Sequence, residues 1–404
     1  MLKDLFQKEN KDVIVLLFGR ITTNIADSLF YMAILWYFKV TFHSPLILSL
    51  VFIADSTIDM LAFLFGPLID RVNTKKLLNY ISLGQIVFSI VVVLLFSWQK
   101  TVISIILLLL VYVLSTIGST LIYPSEEKIL PTIVDQRELT KINGIFQMSY
   151  QTLDLFLDAL ATALITYLSL NSTMITSALF FAVALLFYVR LCLPYTLSTA
   201  KPEYFTGNYL KDLTKGWQTL VNEGKILILI LPFAVTNLFY GISSVGMPYF
   251  ASHYLNKSAI SYGSLEFFSS IGGLLGSFVV GHFAPNKDKL SKLVSICLFL
   301  AGLSVILEAL IADYTPLLIF LFALSSAFWI SIMNINFEVL VQQSFSSHLL
   351  GRVETINSSI INCMIPIGTF LGGLIVQHFG ATIAILLQGI AEVITAVFYL
   401  IFLK

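Results

Sequence analysis

Long apolar stretches alternate with short polar ones along the whole chain. Each apolar stretch is about twenty residues long, which is the length that an α-helix needs to cross a bilayer. Most of the charged side chains lie in the polar interruptions. The pattern predicts twelve membrane-spanning helices, at residues 12–38, 45–69, 76–98, 101–123, 142–168, 172–193, 226–251, 259–283, 290–312, 315–342, 351–378 and 381–403.

Composition agrees with this pattern. The chain is 57% hydrophobic and 11% charged, whereas a soluble domain is about 25% charged. We therefore expect an integral membrane protein, with the lipid bilayer as its main surroundings. The formal net charge is zero, so overall electrostatics favour no nucleic-acid partner.

The basic residues predict the orientation. With the amino terminus in the cytoplasm, nineteen of the 23 lysines and arginines fall on the cytoplasmic side. Lys39, Lys100 and Lys257 fall outside, and Arg20 lies within the first span. Because cytoplasmic loops carry an excess of lysine and arginine, this distribution favours twelve spans with both termini in the cytoplasm.

One long polar interruption, at residues 194–225, divides the spans into two sets of six. We therefore predict an all-α membrane protein with an N-terminal six-helix bundle at 1–195 and a C-terminal one at 226–404. The linker at 196–225 contains apolar residues at helical spacing, which is typical of an amphipathic helix on the inner membrane surface. A degenerate copy of the loop after the second span follows the eighth span, at Gly281–Lys289, and favours two pseudo-symmetric bundles.

The loop after the second span, Gly66–Lys76, has the spacing G-x-L-x-D-R-x-x-x-K-K. This resembles the loop between the second and third helices of major facilitator superfamily transporters, and it implies that family's fold of two six-helix bundles. In the family this loop forms an inner gate that holds the two halves together. The resemblance implies gate roles for five residues: Gly66, Asp70, Arg71, Lys75 and Arg352.

Three further stretches resemble the macrolide-efflux branch, the third class of drug:proton antiporters. They lie at residues 123–144, 216–222 and 350–373. The chain departs from many proton-coupled antiporters in two ways. Its fourth span has Ser115 where those antiporters carry an arginine, and its fifth span lacks their glycine-proline motif. Both departures concern the coupling mechanism more than the fold.

Charged residues inside the predicted spans are the main functional candidates. Such a residue costs about 2.5–3.5 kcal/mol to insert, so it is a functional candidate by default. The candidates of the first half are Arg20, Asp27, Asp55, Asp59, Asp154 and Asp158. They could bind protons or attract a cationic substrate; alternatively, some pair with Arg20 and serve only packing. Glu126 and Glu127, which follow the fourth span, are expected at the cytoplasmic interface.

The second half offers fewer candidates. Glu266 in the eighth span is the best acid for a cavity. Asn237 and Tyr240 lie beside Gly241 in the seventh span, where a bent helix could present a ring to an apolar cation. A kink that serves only packing is an equally good interpretation.

Sequence motifs of catalysis are absent. The chain has no G-x-x-x-x-G-K-[ST] loop for ATP, and its five histidines and three cysteines show no metal-ligand spacing. We therefore expect no enzymatic activity, no cofactor and no bound metal.

These observations predict a secondary active transporter in the plasma membrane. Our hypothesis is proton-coupled efflux of amphipathic or cationic drugs by alternating access, carried out by a monomer. The expected partners are a small amphipathic substrate, protons and lipid. Two alternatives stay open: a transporter dedicated to a peptide or small metabolite, and a receptor built on a transporter fold that does not transport.

Overall fold

The computed structural model describes residues 11–61, 72–98, 100–134, 139–192, 224–255, 258–282, 290–344 and 347–402. Within these ranges the chain forms helices joined by short turns, without any strand. The helices are α1 (Lys11–Phe42), α2 (Pro45–Leu61), α3 (Thr74–Phe96), α4 (Val102–Ile133), α5 (Leu139–Tyr167), α6 (Leu170–Arg190), α7 (Gly224–Tyr254), α8 (Ala259–His282), α9 (Leu290–Ile311), α10 (Leu318–Ser344), α11 (Ser347–Phe379) and α12 (Ala381–Phe402).

The helices have the length and composition of membrane spans. In the part of the chain that the structure describes, ten are long and apolar enough to cross a bilayer. Of the other two, α2 has 17 described residues, and α5 contains a shorter apolar segment, Phe156–Tyr167. The predicted all-α membrane fold is confirmed. The gate residues Gly66, Asp70 and Arg71 and the linker at 196–223 lie outside the described residues.

Most helix ends fall within four residues of the predicted ends. Local capping explains two of the starts. Asn73 accepts a hydrogen bond from the backbone of Lys76 at the start of α3, and Thr101 and Ser104 form a capping box at the start of α4. The clear exception is the end of α4, which continues to Ile133 instead of stopping near residue 123.

The chain divides into two compact units. Unit 1 consists of Met1–Thr41 and Ile58–Glu203, and unit 2 of Phe42–Thr57 and Tyr204–Lys404. The main division, near residue 204, falls inside the predicted linker at 196–225. The functional division into two six-helix bundles stays a prediction.

In unit 1, α3 packs against α4 and α6. A buried cluster joins the amino-terminal parts of α1 and α3 to the carboxy-terminal parts of α4 and α6; its members include Val13, Leu16, Leu78, Ile122, Ile129 and Tyr188. Ser177 on α6 also donates a hydrogen bond to the backbone oxygen of Ala26 on α1, at 2.8 Å. This cluster fixes the positions from which α1, α4 and α6 present polar side chains to one another.

In unit 2, the main helix pairs are α7–α11, α8–α10, α9–α10, α9–α12 and α7–α12. Glycines allow backbones to approach closely in three of these pairs. A Cβ atom added at Gly272 of α8 would collide with the backbone of Leu324 on α10, whereas one added at the adjacent Gly273 would meet open space. Small residues at helix contacts are the usual device by which membrane helices pack.

Large apolar side chains are exposed on many helices, among them Tyr80, Leu94, Ile103, Phe278 and Ile394. In water, so large an exposed apolar surface would be a liability. In a bilayer these side chains lie against lipid, which is as apolar as they are.

Candidate functional site

A buried ion pair lies between α1 and α4 of unit 1. Nη1 of Arg20 is 3.3 Å from Oε2 of Glu126, and only 3% of Glu126 is exposed. Glu126 is therefore buried within unit 1, and its expected position at the cytoplasmic interface stays a prediction. Because α4 continues past Pro124, Glu126 is carried one turn further along the helix into the interior of the unit, where Arg20 compensates its charge.

Two aromatic residues complete the surroundings of this pair. The hydroxyl of Tyr188 on α6 donates a hydrogen bond to Oε1 of Glu126 at 2.7 Å. The ring of Tyr123 lies under the guanidinium of Arg20, with 4.7 Å from Cζ to the ring centroid, which is a favourable cation–π distance. Tyr188 reaches this position because Gly19 leaves room for its ring: a Cβ at Gly19 would lie 2.6 Å from it.

A second polar group joins α1 to α3 and α4. The hydroxyl of Ser119 donates to Oδ1 of Asp27 at 2.5 Å. Nε2 of Gln85 in turn donates to the Ser119 hydroxyl at 2.9 Å and to the backbone oxygen of Ser115 at 2.8 Å, and the Ser115 hydroxyl donates to Oε1 of Gln85. Asp27 therefore ends a chain of hydrogen bonds through three helices.

These two groups form what we call the α1–α4 ladder, defined by the Arg20–Glu126 and Asp27–Ser119 contacts. The contacts are seven residues apart on each helix and occur in opposite order, so the two helices run in opposite directions. Seven residues correspond to about 10 Å along a helix. The ladder therefore holds one positive charge and two acids on a single line within unit 1, and Asp27 lies close enough to Arg20 for the charges to interact.

The remaining acids of the first half are more dispersed. Asp158 on α5 accepts a hydrogen bond from Ser28 on α1, at 3.4 Å. On α2, Asp55 is partly buried and Asp59 is exposed. The side chain of Asp154 lies outside the described part of the chain. Asp27 and Ser28 are consecutive residues of α1. The hydrogen bond from Ser28 therefore attaches Asp158 of α5 to α1 next to the position of Asp27.

In unit 2, Nδ2 of Asn237 donates to the backbone oxygen of Ile361 at 3.2 Å, which joins α7 to α11. Tyr240, one turn further along α7, is 53% exposed and interacts electrostatically with Glu266 of α8. Glu266 also interacts with Glu308 of α9. The helix α7 contains Pro232 and Pro248, on either side of this region.

Among the predicted gate residues, the described side chain is that of Lys75. It lies in the first turn of α3, beside the capping residue Asn73, and is partly buried. Arg352 belongs to α11, but its side chain lies outside the described residues. The gate therefore stays a prediction.

Sequence reasoning missed Tyr188 and Gln85, because a tyrosine or glutamine within an apolar span is common and gives a weak signal. It named Glu126 but did not pair it with Arg20. That pairing was detectable, since an acid three residues after the expected end of a span deserves comparison with the single arginine inside a span of the first half. In the described ranges, no group of three or more His, Cys, Asp or Glu residues could hold a metal ion.

Comparison with known proteins gives a consistent result. The family model described as Major Facilitator Superfamily matches residues 16–360. The chain is 23% identical to the MFS-type transporter YvqJ of Bacillus subtilis over 96% of its own length and 92% of that protein's. It is also 23% identical to Macrolide efflux protein A of Streptococcus pyogenes, over 92% and 91%. In fold it is similar to a bacterial homologue of the iron transporter ferroportin in an inward-facing state, with a TM-score of 0.76, 15% identity, and 98% and 99% of the two chains covered.

Proposed function

The chain belongs to the Major Facilitator Superfamily, and we propose that it exports amphipathic or cationic drugs in exchange for protons. Membership in the family and the transporter names of its relatives make it a multi-pass membrane transporter of small molecules. Relatives from Streptococcus pyogenes and Enterococcus faecalis are named Macrolide efflux protein A. These names support efflux and make a macrolide the first substrate to test.

The α1–α4 ladder is the observation that carries the proposal. Arg20 is held directly by Glu126 and interacts at longer range with Asp27. If a proton binds to Glu126, the charge that holds Arg20 in the ion pair is neutralised, and the interaction of Arg20 with Asp27 gains in weight. Because removing one partner of a buried ion pair costs about 3–5 kcal/mol, proton binding at this position can change which arrangement of the helices is stable.

Alternating access then follows from differential affinity. Protons and substrate shift the balance between inward-facing and outward-facing states only by the difference in their affinities for the two states. In this mechanism Asp27 and Glu126 respond to protons, while Asp158, Asp154, Asp55 and Asp59 supply negative charge that attracts a cationic substrate. In unit 2, Tyr240, Asn237 and Glu266, with a ring, an amide and an acid, are the candidates for contact with a substrate.

The inner gate is proposed on the family resemblance. Gly66, Asp70, Arg71 and Lys75 would stabilise the outward-facing state together with Arg352 of α11. An acid next to bases at the ends of helices is well suited to this role, because such pairs form and break as helix termini move. Location in the plasma membrane with both termini in the cytoplasm, and action as a monomer, belong to the same proposal.

The test uses purified protein in liposomes with an imposed pH gradient. Accumulation of a fluorescent lipophilic cation and of a radiolabelled macrolide is followed for the unmodified protein and for Asp27→Asn, Glu126→Gln and Asp158→Asn. Asp313→Asn is the matched control, because Asp313 is exposed in the turn after α9. We expect gradient-driven accumulation for the unmodified protein and for Asp313→Asn, and at least a tenfold loss for Asp27→Asn or Glu126→Gln.

Two results would contradict the proposal. If the folded protein moves neither compound under any gradient, the drug-efflux hypothesis is wrong, and a dedicated solute becomes the next candidate. If transport occurs but Asp27→Asn and Glu126→Gln retain it with the same dependence on the gradient, the ladder does not couple protons to transport.

A further inference from the structure

Unit 2 contains a buried acid that the α1–α4 ladder does not involve. Glu308 lies one turn before the end of α9 and is 2% exposed. Its Oε1 atom is buried and has no hydrogen-bond partner. An ionised carboxylate in this position would have an oxygen without water, donor or counter-charge, which is costly in an apolar interior.

The groups around Glu308 increase this cost. The helices that pack against α9 are α10 and α12. The part of α10 with described side chains, 318–337, has no ionisable residue. The ionisable residues of α12, Glu392 and Tyr399, pack further back along α9, against Gly302 and in the cluster around Cys297. The negative charge of Glu266 on α8 acts on Glu308 and on Tyr240 of α7.

Lys292, the lysine of α9, lies sixteen residues earlier on the same helix, which is about 24 Å away along the axis. Glu392 is also a buried acid with one oxygen, Oε2, that has no hydrogen-bond partner, but Nε2 of Gln388 donates to its Oε1 at 2.8 Å. The charge that acts on Glu308 is that of another acid, Glu266.

A bound cation neutralises the charge of the Glu308 carboxylate. The number of ligands that each cation requires determines which cation can bind here. Ca²⁺ takes six to eight oxygen ligands, and Mg²⁺ requires six in octahedral geometry. Among the described residues, no group of three or more His, Cys, Asp or Glu side chains could supply such a shell. A proton needs no coordination shell: it binds one carboxylate oxygen and removes the charge.

We propose that Glu308 is a second proton-binding site, located in unit 2, with Glu266 as the acid that exchanges the proton with water. The side chain of Glu308 binds one proton as a carboxylic acid and releases it as a carboxylate plus H⁺, without any other reactant. Glu266 is less buried than Glu308 and its charge acts on Glu308, so it is the acid of unit 2 best suited to accept the proton from Glu308 in this proposal. The description of this proton as a coupling ion rests on the proposed function; its binding does not.

The first experiment measures protonation itself. Infrared difference spectra of the purified protein are recorded across a pH titration, and the carbonyl stretch of protonated carboxylic acids is followed. We expect Glu308→Gln to remove one carboxylic acid signal that the unmodified protein has at neutral pH, and Asp313→Asn to leave that signal unchanged. An unchanged signal in a folded Glu308→Gln protein would overturn the proposal. So would a signal that Na⁺ or Mg²⁺ abolishes at constant pH, because the site would then hold a metal ion.

The second experiment measures the consequence for transport. Glutamine imitates the protonated acid and cannot release a proton. We therefore expect Glu308→Gln to lower gradient-driven accumulation at least tenfold. The variant should still exchange labelled for unlabelled substrate when no gradient is present. Equal loss of both would mean a structural role and would overturn the coupling role. If the unmodified protein transports neither test compound, the drug-efflux proposal fails, but the infrared result still decides whether Glu308 binds a proton.

Discussion

The two units bring their helices together in different ways. In unit 1, buried charged and polar side chains join α1, α4 and α6 beside the apolar cluster: Arg20 with Glu126 and Asp27 with Ser119 between α1 and α4, and Tyr188 with Glu126 between α6 and α4. In unit 2, α7–α11, α8–α10 and α9–α12 approach through glycines, with backbone against backbone. Buried charges thus take part in the helix contacts of unit 1, and closely packed glycines in those of unit 2.

The difference bears on how each unit can respond to a proton. A contact made by charges changes when one of them is neutralised, so unit 1 is sensitive to protonation at its helix contacts. A contact between backbones has no such dependence. In unit 2 a change in the charge of the buried acid Glu308 acts on the acid Glu266 rather than on a paired base.

The largest expected effect comes from separating the buried ion pair. Arg20→Met leaves Glu126 buried without its counter-charge and should lower the free energy of unfolding by about 3–5 kcal/mol. Replacing both partners, with Arg20→Met and Glu126→Leu, should restore most of this loss, because no charge remains uncompensated. Equilibrium unfolding of purified protein in mixed micelles measures both. A double variant as unstable as the single one would mean that the pair acts through shape and not through charge.

The hydroxyl of Tyr188 gives the next effect. Tyr188→Phe removes the hydrogen bond to Glu126 and leaves the ring against Gly19, so we expect a loss of about 1.5–3 kcal/mol in the same unfolding assay, as for hydrogen bonds to charged groups. Tyr80→Phe is the control, because Tyr80 is highly exposed. Equal effects of the two substitutions would indicate that Glu126 does not depend on Tyr188.

In unit 2, two adjacent glycines test the importance of shape. Gly272→Ala places a methyl group against the backbone of Leu324 and should destabilise the protein by about 1–3 kcal/mol, the usual effect of overpacking. Gly273→Ala places the same group in open space and should be neutral or stabilising, by up to about 1 kcal/mol, because alanine favours helix. Thermal unfolding of the two variants side by side measures the difference. Equal stabilities would contradict close packing of α8 on α10.

The smallest effect is expected at the Asp27–Ser119 contact, the second contact of the α1–α4 ladder. Ser119→Ala removes the donor to Asp27 and should cost about 0.6 kcal/mol, the average for a hydrogen bond between membrane helices. Thr116→Val is the matched control on the same helix, since its hydroxyl donates only to the backbone of Tyr112. If Ser119→Ala lowers gradient-driven transport severalfold and Thr116→Val does not, the Asp27–Ser119 hydrogen bond matters more for coupling than for stability. Equal transport by both would remove Ser119 from the mechanism.

The sequence determined the number, type and approximate limits of the helices. Their apolar length is set by the thickness of the bilayer, and every backbone group in a span must be satisfied within its own helix. These constraints are local, so they can be predicted from composition alone. The loop at Gly66–Lys76 identified the family for the same reason, because its residues are contiguous in the chain.

Tertiary structure decided which residues meet. Arg20 and Glu126 are 106 positions apart, and nothing in the sequence distinguishes Glu126 from the five aspartates that were equally available to the arginine. Gly272 and Gly273 are adjacent and chemically identical, yet only one of them lies against α10. Glu392 accepts a hydrogen bond from Gln388, whereas Oε1 of the equally buried Glu308 has no hydrogen-bond partner. In each case the outcome depends on the direction in which a side chain points from its helix relative to the neighbouring helices. The packing of the whole unit fixes that direction.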